Sequence, residues 1–501
     1  MSRLLQTINA YASTQPDKIA LQSSEQQLSY AQLQKRIDEH AAYLLENGCK
    51  RLAIWQENRI SWVLWQLAAL QQQIVVIPIA TFFSSAQVEN LIETTAPDLI
   101  ICDCDQPQLA TLYKTESNPQ GEEYCYSRIE PYPLVADAFN NIALVTFTSG
   151  STGAPKGVKI SHTLIDEVCF SLCSVMQPLA ISQHHCLLPL AVMLENIAGV
   201  FLPLCAGETV VLATAAETGL TGSSGIDHQR FIHYLIQANP QSLILTPELL
   251  KLLMLARQQG APLTQLKFIA VGGAKVSTQL IEQAHSLGLP VYEGYGLSEC
   301  GSVVSLNLPG AAQPGSVGKP LPHAGVTISE QGEILIRGPQ MQGYLQQASS
   351  QNAYYASGDL GYLDSDGFLY ITGRKKNVQI NSFGRNISPE WIESEINALP
   401  AVVRTVILVD ELPALVALLQ PLPQSTAEQV IEQLERLNSQ LPDYARIQYW
   451  IEITPEAIAK ADLLTGNGRL RRQACYRYFS TQIADYFTHL EQPTQQVSHV
   501  F

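Results

Sequence analysis

The sequence predicts an α/β protein, with a large N-terminal α/β domain followed by a small α+β domain. Three observations lead there. The chain has 501 residues, more than one core ordinarily organises. Short apolar runs alternate with helical stretches over the first two thirds, the pattern of buried strands in α/β folds. Past residue 330 the texture changes to hairpin-like strands and an amphipathic helix.

Each element has its own signal. Ser29–Gly48 reads as a helix: Ser29 suits the N-cap, Leu33, Ile37, Ala41, Leu44 and Leu45 form one stripe, and Gly48 suits the C-terminal turn. Ile60–Gln72 is a second helix, and IVVIPI behind it a short buried strand. Further strands are expected at Ile142–Phe147, Thr209–Leu212, Ser242–Leu245, Phe268–Val271 and Val291–Tyr292. GEILIRG and GYLDSDGFLYITG also read as strands, the second a hairpin closed by Asp364-Ser365-Asp366-Gly367. Strands Val402–Val409, Leu415–Leu419 and Gln448–Ile453 and a helix Thr426–Gln440 fill the small domain. The boundary is expected near Arg374–Asn377, dividing 1–374 from 375–501.

Composition narrows the function classes. Hydrophobic residues make up 46% and charged residues 15%, an ordinary globular balance. A net charge of −15 argues against a general nucleic-acid binder but leaves room for a basic pocket. The ten cysteines are scattered with no CxxC pair, as single thiols of a reducing compartment are. Cys169, Cys173, His184, His185 and Cys186 can be drawn as a metal site. Packing is the preferred reading, because Cys169 and Cys173 fall on one face of an apolar helical stretch. The N-terminal MSRLLQTINAYASTQ lacks a signal core, and no run approaches the ~20 apolar residues of a membrane span. A cytoplasmic protein is expected.

TSGSTGAPKG, Thr148–Gly157, follows the apolar run Ile142–Phe147. A strand followed by a Gly/Ser/Thr loop can turn backbone N–H groups toward one point, with hydroxyls and Lys156 adding donors and charge. That is a phosphate cradle. It is not a Walker loop, since Pro155 stands where GxxxxGK[ST] needs its second glycine, and GxGxxG is absent here.

TSGSTGAPKGV closely resembles the phosphate loop of the adenylate-forming (AMP-binding) superfamily. Its members include acyl-CoA and aryl-CoA synthetases, peptide-synthetase adenylation domains and beetle luciferases. EGYGLSECG at 293–301 resembles the adenine and magnesium motif. YASGDLGYLDSDGFLYITGRKKNVQINSFGRNISPEWIE at 355–393 resembles the ribose motif and hinge, and LLTGNGRLRR at 463–472 the motif of the C-terminal catalytic lysine. Four motifs in the family's order are far more specific than any one.

The resemblance implies layered sheets in the large domain, a mobile small domain, and ATP, Mg²⁺ and CoA as cofactor and substrates. A carboxylate attacks the α-phosphorus of ATP, giving acyl-AMP and pyrophosphate, and a thiol then takes the acyl group. By position, Thr148, Ser149, Gly150, Ser151, Thr152, Gly153 and Lys156 would hold the β- and γ-phosphates. Gly294, Tyr295 and Gly296 would meet adenine, Ser298 the α-phosphate, and Glu299 the magnesium ion. Asp359 would accept the ribose hydroxyls, and Arg374 would donate to ribose or phosphate. Lys376 stands at the hinge, and Gly384 and Arg385 at the thiol channel. Each has a plainer reading: YGLSE as a strand-to-helix turn, Asp359 as a turn aspartate, Arg374 as a surface ion pair.

Two departures stand out. Arg469 occupies the place of the family's catalytic lysine, keeping the charge without the compact point donor. Arg469 acts in its stead, Lys460 reaches in, or the first half-reaction is weak; the first is preferred. The expected catalytic set is therefore Lys156, Ser298, Glu299 and Arg469. In LLPLAVMLENIAGV at 187–200, Leu190 stands where amino-acid-activating members carry an aspartate, which argues against an α-amino acid. No histidine lies near Val192; Leu190, Val192 and Met193 are expected to make an apolar acyl pocket, and Glu195 is either a helix-start glutamate, the preferred reading, or a pocket residue. A fatty or other apolar acid, transferred to CoA, is the resulting expectation. Delivery to the phosphopantetheine of an acyl carrier protein is the alternative, with Arg385, Arg404 and Arg446 as basic candidates for either acceptor. A catalytically impaired nucleotide-binding protein is the third reading.

Overall fold

Parallel strands buried on both faces organise the larger part of the computed structural model. The structure describes residues 2–116, 123–130, 139–148, 156–221, 225–347, 352–377, 379–380, 386–409, 412, 414–442, 445–461, 463–464 and 470–490. One sheet has nine strands; its central five, in spatial order, are Val291–Tyr295, Phe268–Val271, Ser242–Leu245, Gln183–Cys186 and Thr209–Leu212. A second sheet of seven strands ends in Val75–Pro78, Ile142–Thr148 and Lys156–Ser161. Ser242–Leu245 and Val75–Pro78 are buried at every position, which is why they read as unbroken apolar runs instead of alternating ones.

The helices between them follow the predicted signals. Tyr30–Glu46 starts at Ser29, whose hydroxyl accepts from Gln32 N while the Gln32 side chain accepts from Ser29 N. Leu33, Ile37, Ala41 and Leu44 face the core, but Leu45 is 66% exposed. It lies a further 100° round the helix, and Tyr43 and His40, packed against Trp65, complete the stripe instead. Ile60–Gln71 is buried nearly all round, and its residues share one core with strands of both sheets.

A third sheet is antiparallel: Gly325–Ile328, Glu333–Arg337, Tyr355–Leu363 and Leu369–Arg374. The predicted hairpin closes as expected, with Asp364 Oδ1 accepting from Asp366 N and Phe368 N and Gly367 at φ +82°. In the C-terminal domain, Val402–Leu408, Val416–Pro421 and Tyr449–Glu452 form a three-stranded sheet. One face packs Ile407, Ala417 and Leu419 against helices Pro389–Asn397 and Ala427–Gln440. The other packs Val406, Leu408 and Leu418 under the helix Arg472–Leu490. No helix among the described residues is long and apolar enough to cross a membrane.

Among the described residues, few polar contacts join the two parts. Ser277 Oγ donates to Glu395 Oε2 at 2.8 Å, and Lys251 Nζ donates to the Val402 carbonyl at 3.2 Å. Burial against the small domain pushes the Lys251 ammonium down from 10.5 to about 8, with Glu248 pulling the other way. Between those values the undocked lysine holds a proton that the docked one does not. The contribution of this lysine to stability is therefore lowest below pH 8 and rises from there toward pH 10.5. Lys251→Met is expected to abolish that rise and to match or exceed the parent below pH 8. Thermal unfolding midpoints of both proteins across this window check it; parallel profiles would overturn it.

Candidate active site

The strand Val291–Tyr295 ends where the chain turns sharply through Gly296 into the short turn Ser298–Cys300. A Cβ on Gly296 would stand 1.9 Å from the Ser302 carbonyl oxygen, so only glycine allows this crossing. The turn lies at the carboxyl end of a parallel strand, where open α/β sheets form their ligand crevices.

Asp359 draws three predicted residues together. The Tyr295 hydroxyl donates to Asp359 Oδ2 at 2.7 Å, and Arg374 Nε pairs with Oδ1 at 2.8 Å. Asp359 and Arg374 face each other across their hairpin, and Asp359 is 3% exposed. Oδ2 thus accepts one hydrogen bond and Oδ1 holds an ion pair, and each keeps a lone pair for a ligand. Burial, with Asp359 beside it, pushes the Tyr295 phenol up, so it remains a donor.

Glu299 has a partner that the sequence did not reveal. The Tyr344 hydroxyl donates to Glu299 Oε1 at 2.8 Å, and the Tyr355 hydroxyl lies 3.4 Å from that of Tyr344. Lys156 Nζ sits 5.5 Å from the centre of the Tyr344 ring. Backbone bonds from Leu345 N to Gly157 O and from Lys159 N to Gly343 O hold Tyr344 there. Tyr344 stands in MQGYLQ, which has no periodicity and no charge, so nothing local marked it.

The remaining predicted residues divide. Gly294, Gly296 and Ser298 line the same cavity as Tyr295, Asp359 and Arg374. Lys156 is exposed, opposite Thr148 in the strand register. Lys376 is exposed in the turn after Arg374. Ser149, Gly150, Ser151, Thr152, Gly153, Gly384, Arg385 and Arg469 lie outside the described residues, as does the side chain of Thr148. Leu470, next to Arg469, lines the cavity.

The cavity encloses about 1780 Å³. A single small-ligand site takes roughly 300–1,000 Å³, so this one has room for two ligands. Besides the Tyr295–Asp359–Arg374 cluster, it is lined by strand and helix residues including Phe268, Leu172, Met176 and Leu202. Val192 and Met193 line it, whereas Leu190 does not. Asn58 clamps both Leu188 O and Leu190 N, and the Leu190 side chain packs into the core at 1% exposure. Glu195 opens a π-helical stretch, Glu195–Phe201, and is fully buried, which a surface helix-start glutamate would not be. The sketched cysteine–histidine metal set splits apart. His185 turns away to the Tyr234 hydroxyl, and Cys169 and Cys173 belong to the helix His162–Met176. His184, Cys186 and Glu195 place ligand atoms within 4.8 Å of one another, but Cys186 Sγ donates to the Gly199 carbonyl.

Comparison with known proteins gives the family. Residues 8–345 match the AMP-binding enzyme family, and residues 377–491 the AMP-binding enzyme C-terminal domain. A long-chain-fatty-acid–CoA ligase, FadD15, of Mycobacterium bovis is 25% identical over 75% of this chain and 73% of its own. The 2-succinylbenzoate–CoA ligase of Bacillus subtilis is 27% identical over 77% of this chain and 81% of its own. Among solved structures, anthranilate CoA ligase AuaEII with anthranoyl-AMP superposes with a TM-score of 0.75 at 14% identity, covering 97% of this chain and 98% of that one. With both family regions matched, the chain belongs to the AMP-binding enzyme family and is an acyl-CoA synthetase-like ligase.

Proposed function

We propose that this enzyme activates a fatty or other apolar carboxylic acid with ATP, forming acyl-AMP and pyrophosphate, and transfers the acyl group to CoA. One observation carries the reading: a single cavity joins the Tyr295–Asp359–Arg374 cluster to an apolar pocket lined by Val192, Met193, Leu172 and Met176. A nucleotide and an acid lying end to end would bring carboxylate and α-phosphate together where the two parts meet.

Joining two anions requires positive charge and alignment. Lys156 and the loop before it would hold the outer phosphates, Ser298 the α-phosphate, and Arg374 with Asp359 the ribose. Glu299, oriented by the Tyr344 hydroxyl, suits Mg²⁺, which takes hard oxygen ligands and offsets phosphate charge when bound. Arg469 would stabilise the charge that develops at the α-phosphate. Lys376 would be the hinge about which 375–501 turns against 1–374, moving Gly384 and Arg385 to the thiol channel. The phosphopantetheine of a carrier protein ends in the same thiol as CoA and is the alternative acceptor. An impaired catalyst is disfavoured by the retention of Lys156, Glu299, Asp359 and Arg374.

Pyrophosphate release from Mg·ATP, with hydroxylamine trapping the adenylate, tests the reading over acids from acetate to palmitate and over benzoates. Release with one acid class supports it; ATP binding without release from any acid favours the impaired catalyst. Glu299→Ala is expected to lower release by about 100-fold or more, and unchanged turnover would remove Glu299 from the site. Arg469→Ala is expected to lower adenylate formation by about 100-fold and Lys460→Ala by less than about 3-fold. The reverse order would transfer the role to Lys460.

A further inference from the structure

Residues 341–345 tie the strand Lys156–Ser161 to the turn Ser298–Cys300. That strand is an edge of the seven-stranded sheet, and the segment lies along its free side. Gln342 N donates to Lys159 O, Lys159 N to Gly343 O and Leu345 N to Gly157 O, and Val158 is bridged to Tyr344. The open strand edge is satisfied in this way. At the other end of the segment Met341 N donates to Glu299 O at 2.7 Å. Backbone bonds thus fix Tyr344 relative to both Lys156 and Glu299.

The Tyr344 side chain touches a cation and an anion at once. Its hydroxyl donates to Glu299 Oε1 at 2.8 Å, and Lys156 Nζ lies over its ring, 5.5 Å from the centre. Among the described residues no ion pair joins Lys156 to Glu299. Opposite charges carried on adjoining elements attract, and the four-carbon lysine stem is flexible enough to let them meet. A lysine closed on the half-buried Glu299 would neutralise both groups and leave neither for a ligand. An aromatic face holds an exposed ammonium by a weaker attraction, from which a phosphate can draw it.

We infer that Tyr344 is a positioning residue that acts as a spacer: its ring keeps Lys156 off Glu299, so that the ammonium remains available to the outer phosphates of a nucleotide. The hydroxyl holds the carboxylate on one side, and the ring face holds the cation on the other. This inference rests on the adenylation reading above.

Calorimetric titration of the full chain with ATP in EDTA, without any acid, reads the lysine's contact apart from metal and turnover. Tyr344→Ala is expected to weaken ATP binding by about tenfold, the contribution of one hydrogen bond to a charged group, because Lys156 closes on Glu299. Glu299→Gln removes that trap, so it should raise affinity about fivefold more in the Tyr344→Ala background than in the parent. Tyr344→Phe, which keeps the ring, should bind within about twofold of the parent. Thermal unfolding verifies that each variant is folded, and Tyr344→Leu gives the same comparison if Tyr344→Ala is not. Four results would overturn the inference and leave adenylation standing: unchanged affinity of Tyr344→Ala, an equal loss in Tyr344→Phe, a loss that Glu299→Gln does not relieve, or binding by the parent only with Mg²⁺. A parent protein that binds ATP neither in EDTA nor with Mg²⁺ would overturn both.

Discussion

The carboxylate of Asp359 ties the site together. One oxygen holds Tyr295, at the end of a strand of the nine-stranded sheet; the other holds Arg374, the last residue of the hairpin before the C-terminal domain. Two sheets and the passage to the small domain therefore meet at one nearly buried group. A charge at 3% exposure is tolerable only because a cation and a hydroxyl answer it. The small domain beyond is stable for a different reason: its sheet is covered by helices on both faces, so its core is its own.

Much of this was legible in the sequence because its signals are local. Ser29 with Gln32, and Thr426 with Gln429, wrote their helix starts as capping boxes. Ser242–Leu245 and Phe268–Val271 were bounded to the residue, since a strand buried on both faces can contain little that is polar. Tyr295, Asp359 and Arg374 were identified by motif, and folding brings them within hydrogen-bonding distance.

What escaped the reading depends on contacts far apart in the chain. Tyr344 matters because it reaches Glu299, 45 residues away, and no local pattern encodes that. Leu190 turns from the pocket because Asn58, 132 residues earlier, fixes its backbone. Glu195 looked like an ordinary helix-start residue, but the chain there winds as a π-helix that carries it inward. In each case the residue type was plain and its direction was not.

The pairing of Asp359 has a thermodynamic consequence. Tyr295 and Arg374 already fix its position while each oxygen keeps a free lone pair, so a ligand hydroxyl that reached it would meet a preorganised acceptor. Little ordering cost would then fall on binding, and the contact would select for hydroxyls placed to fit a carboxylate that cannot move to meet them.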